Sequence, residues 1–261
     1  MTTSIKNYFP YLLPLLLVFS RSLADITIVL ISLLFLYYSH KNIGWHWVKE
    51  KWFCFALIFT IYCLTINSAM SIEPKETLAY SLFFIRWPIF AMALSYWILD
   101  DIQLLKKFLV SMTVILFFII FEDTNFLLNL ERLSFNSSTG SLIGDRLNQY
   151  NVGIGLLLEN IFGIGMGSYQ ELNFTAHTIH NILLIIAVEG GLLSLLLFML
   201  FWALLFIRVY SKTKMGYIAF SLIFSVFLYM QTITHVYDRM FWIPVALMLA
   251  FNNLNKIKKS E

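Results

Sequence analysis

His177, His180 and Asn181 are spaced i, i+3 and i+4, so on a helix their side chains share one face. A neutral imidazole, with an ordinary pKa of about 6.5, accepts a proton from a hydroxyl near neutral pH, which makes His180 a candidate general base. Asn181 has two roles open to it: orienting that imidazole, or capping a helix start. A His-x-x-His pair supplies two ligands where zinc takes three or four, and no cysteine cluster completes the set, so no metal is expected. Arg86 stands inside the apolar run SLFFIRWPIF (81–90). A charge at a helix centre costs about 2.5–3.5 kcal/mol on the insertion scale, so it should face a polar cavity or a partner. Its guanidinium offers a bidentate fork to a phosphate anion; snorkelling toward lipid headgroups is the alternative. Arg146 could serve the same anion. Glu189, just before Gly190 and Gly191, reads as an interhelical hydrogen-bonding group more than as a catalyst. Arg239, with Asp238 and His235, either faces the site or pairs with Asp238.

The elements that must hold these residues are apolar. Of 261 residues, 59% are hydrophobic and 13% charged, against about 25% charged in an ordinary soluble domain. The mean hydropathy is +0.77. The fold class expected is an all-α, polytopic transmembrane helix bundle. A net charge of +3 with no basic stripe gives no reason to expect nucleic acid as a partner. Cys54 and Cys63 lie on opposite faces of one apolar helix and should remain unpaired thiols. The N-terminus superficially resembles a cleavable signal peptide, but a second apolar run (26–38) follows at once, so an uncleaved, membrane-embedded start is expected.

A span needs about 20 apolar residues, and the clearest runs are 52–69, 78–99, 108–121, 182–207 and 217–234. Residues 8–39 hold two short runs split by Arg21 and Asp25, which suits a helical hairpin or a kinked element. Residues 240–251 form a short run that crosses only by tilting. About seven or eight membrane segments result. Three parts follow: N-terminal transmembrane helices (1–121), an exoplasmic loop (122–180) and C-terminal transmembrane helices (181–261). The loops 40–51, 100–107 and 208–216 and the C-terminal tail share one parity and carry eleven Lys and Arg residues, against four on the other face. The positive-inside rule makes the eleven-residue face cytoplasmic. Arg86 then falls in the exoplasmic half of its helix. Within the exoplasmic loop, 136–141 reads as turn-rich and irregular, and 145–160 as a helix too short to cross, lying in the membrane interface. Glycines at 163, 165 and 167 end it with tight turns.

The text NIFGIGMGSY (160–169), then HNILLIIAVEGGLLSLL (180–196), with Arg146 before and Asp238-Arg239-Met240-Phe241-Trp242 after, resembles the O-antigen ligase and O-antigen polymerase family of bacterial envelope glycosyltransferases. The resemblance covers about 100 residues well and the surroundings of Arg86 more loosely. It implies a protein of the bacterial inner membrane, multi-pass, with its site facing the periplasm. It further implies a glycan donor linked to undecaprenyl diphosphate, a glycan or lipid A-core acceptor, surrounding membrane lipids, and no cofactor. Carried over position by position, His180 would deprotonate the acceptor, Arg86 and Arg146 would hold the diphosphate, and His177, Asn181, Glu189 and Arg239 would support them. The chain departs from the family in having fewer spans, in lacking helices between 121 and 146, and in lacking the proline common before the first glycine. A polymerase, a non-catalytic shortened paralogue or assembly protein, and a small transporter therefore stand as alternative readings.

Overall fold

A computed structural model describes residues 3–19, 21–122, 139–172, 179, 181–210, 214–229 and 239–260. Every regular element among them is helical. The chain opens with α1 (Thr3–Phe19) and α2 (Arg21–Tyr38), continues through α3 (Lys51–Tyr62), and reaches α4 (Pro74–Phe84) and α5 (Arg86–Ala93). Then come α6 (Ile102–Glu122), α7 (Thr139–Glu159), the single turn α8 (Ser168–Glu171), and the long α9 (Ile182–Val209). Helices α10 (Lys214–Tyr229) and α11 (Arg239–Ser260) close it.

Four helical stretches are long and apolar enough to cross a membrane: Ser22–Ile43, Lys51–Met70, Pro74–Ile98 and Ile182–Val209. Tyr8–Leu17, Ala219–Leu228 and Trp242–Leu254 are apolar but shorter. Their outward faces are apolar too, with Leu33, Ile61, Val110 and Leu196 each more than half exposed. Such surfaces are unfavourable in water and natural in lipid. The protein is built as a membrane-embedded helical bundle. Residues 8–39, expected as a hairpin or kinked element, are two successive helices with different main partners: α1 packs on α6, and α2 on α5.

Packing runs through two neighbourhoods. Helix α5 lies between α2 and α11, while α9 packs against α3 and α7. Aromatic rings join them. Phe59, Phe84, Phe198, Phe201 and Trp242 meet at centroid distances of 5.2 to 6.4 Å. Edge-on and tilted rings at such distances add to the apolar burial itself. Cys54 and Cys63 are both free thiols, as their spacing requires.

One sequence expectation is corrected. Residues 139–141 are not irregular: α7 begins at Thr139 and runs 21 residues without a break. The run 78–99 lies in one helical stretch, Pro74–Ile98, loosened at the single residue Ile85 between α4 and α5. Pro88 supplies the reason, since it has no N–H to offer the Phe84 carbonyl and its ring crowds that oxygen. Nearby, the Arg86 carbonyl accepts a hydrogen bond from Ser32 Oγ at 3.1 Å.

Candidate functional site

The site is built where a glycine-rich loop lies against a broken helix. Helix α9 is interrupted at Gly191, whose φ of 80° and ψ of 177° no helix contains. A break of this kind frees carbonyls that need partners, and in a bilayer only protein can supply them. The loop 160–167 does so. Ile164 N donates to Val188 O at 3.0 Å, and Gly165 N to Glu189 O at 2.8 Å; Leu192 N, beyond the break, donates back to Ile161 O at 3.0 Å. The two backbones approach so closely that a Cβ on Gly163 would meet the backbone of 189–191, and one on Gly191 would meet that of 161–163. Both residues have positive φ, so only glycine meets both demands.

Helix α3 clamps this pairing. Its helical course continues through a wider turn at Cys63–Asn67, in which hydrogen bonds run five residues instead of four. Side chains five apart then come round to the same face, and Tyr62 and Asn67 both reach the break. Tyr62 OH donates to Gly190 O at 2.9 Å and approaches Phe162 O at 3.3 Å. Asn67 is fully buried; its Nδ2 donates to Phe162 O at 3.0 Å and Glu189 O at 2.9 Å, and its Oδ1 accepts from Met166 N at 3.2 Å. Ile72 N donates to Ile164 O at 3.0 Å. Around Gly165 gather three hydroxyls, with Ser71 Oγ 2.7 Å from Thr77 Oγ1 and Ser168 Oγ 3.5 Å from it.

Glu189 is buried, with 6% of its surface exposed, and its Oε1 accepts from Tyr169 N at 3.2 Å. It thereby ties α9 to α8. Asn181 caps α9: its Oδ1 accepts from Leu183 N at 3.0 Å and Leu184 N at 3.1 Å. Of the two roles open to it, capping is the one with visible geometry. Ile179, two residues earlier, is fully buried, and its side chain meets the face of α7 at Gly153.

Compared with known protein families, curated proteins and solved structures, the chain matches none. The site must therefore be judged on its own chemistry. His177 and His180 lie outside the described residues, as do the side chains of Arg146 and Arg239. Arg146 belongs to α7 and Arg239 opens α11. Of the expected face of His177, His180 and Asn181, only Asn181 is among the described residues, and it does not lie within a helix. Ile179 is not helical, and Asn181 has extended backbone angles of −159° and 112°. The helix starts only at Ile182, because its first amides are satisfied by the Asn181 side chain instead of by a preceding turn.

Arg86 has found a partner. Its Nη2 lies 3.0 Å from Asp25 Oδ1, and its guanidinium packs over the rings of Phe83 and Trp87. Nε is buried with no partner among the described residues. The residue stands midway along Pro74–Ile98 instead of in one half, twelve positions from either end. The same helical run meets the loop higher up, since a Cβ on Gly167 would touch the Tyr80 ring. Arg86 is six residues on, about 9 Å of axial rise below that contact. No group of three or more His, Cys, Asp or Glu side chains among the described residues could hold a metal ion.

Asn67, Tyr62 and Asp25 were not chosen from the sequence. A signal for two of them existed: Asn67 is an amide inside an otherwise apolar run, and Asp25 and Arg86 are opposite charges, each costly alone in lipid.

Proposed function

We propose that the protein is an O-antigen ligase-like glycosyltransferase of the bacterial inner membrane, moving a glycan from undecaprenyl diphosphate to a carbohydrate acceptor such as lipid A-core. Tyr8–Leu17, Ala219–Leu228, Trp242–Leu254 and α6 cross the bilayer beside the four longer spans, for eight segments with the site facing the periplasm. One observation supports the reading: the two longest stretches on which the resemblance rests, 160–169 and 180–196, fold against each other. The loop 160–169 pairs with the α9 break beside Glu189, and α9 is capped by the residue next to His180.

In this reaction the acceptor hydroxyl oxygen bonds to the anomeric carbon as the carbon–oxygen bond to diphosphate breaks. His180 takes the hydroxyl proton, and undecaprenyl diphosphate leaves with the electron pair. Attack opposite the leaving group inverts the anomeric centre. Diphosphate is already a good leaving group, so stabilising its departing charge matters more than a strong acid, and Arg86 and Arg146 supply that charge. Asp25 occupies one edge of the Arg86 guanidinium, so the donor engages the remaining edge or exchanges with the carboxylate.

The test is glycan transfer in proteoliposomes loaded with undecaprenyl-diphosphate-linked donor and lipid A-core or free glycan acceptor. His180→Ala should lower the rate by roughly 10²–10⁴-fold, the usual contribution of a placed general base. Transfer unchanged in the variant defeats the catalytic assignment. One observation favours a second reading, a shortened paralogue without activity: the Arg86 charge is matched by Asp25, as in a purely structural ion pair. That reading requires wild-type protein to transfer nothing in the same assay.

A further inference from the structure

At the opposite end of the bundle, the start of α3 and the end of α9 enclose a cleft of about 400 Å³. That is within the range of small-ligand sites, roughly 300–1,000 Å³. Its rim carries the cations Lys49, Lys51 and Arg208 beside His46, and its wall is apolar, formed with Leu204 and Ile207. Glu50 also borders it, but both its oxygens are committed. Arg208 Nε lies 3.1 Å from Oε2 and Nη2 3.1 Å from Oε1, and Tyr96 OH donates to Oε1 at 2.9 Å. Arg208 Nη2 also donates to Asn253 Oδ1 at 3.0 Å. This network fixes the Arg208 side chain and cancels its charge against Glu50. Lys49 and Lys51 are exposed and take part in no ion pair among the described residues. Arg208 Nη1 is buried and has no hydrogen-bond partner there. The first turn of α3 has no side-chain cap, so its amides and the positive end of its dipole add to the same field.

We infer that this cleft binds a phosphate-bearing anion, with the phosphate at the lysine rim. The wall suits the headgroup and upper chain of an anionic phospholipid: Ile207 is 72% exposed on the outer side of α9, where an acyl chain would lie. Basic pockets between membrane helices hold such headgroups by the same balance of charge and apolar contact. This site is separate from the glycine loop, at the other end of α3 and α9.

Native mass spectrometry of the full chain in neutral detergent tests it, with phosphatidylglycerol, phosphatidylcholine and inorganic phosphate as probes. Phosphatidylglycerol should bind more tightly than phosphatidylcholine. The double variant Lys49→Gln, Lys51→Gln should weaken it by roughly 25-fold, each cation near an anionic headgroup contributing about fivefold. Lys106→Gln, Lys107→Gln removes the same charge from α6, outside the cleft, and should change binding by less than about threefold if the cleft, not diffuse charge, is the site. Retention of phosphatidylglycerol against excess inorganic phosphate identifies the lipid as ligand; displacement, with phosphate binding lost in the Lys49/Lys51 variant, identifies a free anion in the same cleft. Equal losses in the two double variants, or equal binding of the two lipids, overturns the inference.

Discussion

Asn67 uses both ends of its amide, donating to two carbonyls and accepting from one N–H, all on segments about 100 residues or more away in sequence. Its position in an apolar run makes sense only with those partners in place. Asn67→Ala would leave Phe162 O and Met166 N short of a partner in a site water does not reach. The expected cost is about 2–3 kcal/mol, read as a lower midpoint of thermal unfolding in detergent; an unchanged midpoint would mean that the clamp adds nothing. Arg86 illustrates the other side of the same rule. A guanidinium in an apolar run announces that something answers it, but the sequence offers both an external anion and an internal carboxylate. Only packing of α2 on α5 shows that Asp25 is there.

Among the elements, α9 departs most from what its composition suggests. Its residues are apolar enough for one continuous span, yet Gly191 breaks it and the glycine loop pairs with the opened backbone. Gly191→Ala should be destabilising on two counts. A positive φ costs an L-residue roughly 1–2 kcal/mol, and the added methyl meets the backbone of 161–163. Loosening of the loop should follow, seen as faster hydrogen exchange at Ile164 and Gly165 than in wild-type protein. Protection equal to wild type would show that the loop is held without the break. Helix α5 teaches a related lesson. Pro88 loosens the stretch Pro74–Ile98 at Ile85, which the hydrophobic pattern alone passes over, because periodicity registers side chains and not missing N–H groups. The start of α9 at Ile182 agrees with the apolar run 182–207, because the polar Asn181 both ends the pattern and caps the helix.

At the scale of the molecule, the described ends sort into two groups. The polar network of Glu50, Tyr96, Arg208 and Asn253 joins the start of α3 to the ends of α5 and α9 and to α11. These residues border three of the loops and the tail whose lysines and arginines share one parity. The glycine loop, Asn67 and the Ser71 hydroxyl gather at the other end. Single cysteines test the orientation, since Cys63 is buried and Cys54 is partly so. A membrane-impermeant maleimide should label Lys75→Cys in intact spheroplasts and Lys106→Cys only after permeabilisation. The reverse pattern would place the glycine loop in the cytoplasm and remove any access to a periplasmic donor.

The amino-acid order by itself determined that the described residues are helical and apolar, and roughly where the long helices 51–70, 74–98 and 182–209 begin and end. Those properties follow from local composition, and each helix satisfies its own backbone in lipid. It also singled out the glycine loop and Glu189, which lie together in the fold. The tertiary structure alone decided that α9 is broken and paired with that loop, that Asn67 clamps the two, and that Asp25 answers Arg86. Each of these is a contact between residues more than twenty positions apart, and its energy comes from partners that no local pattern names.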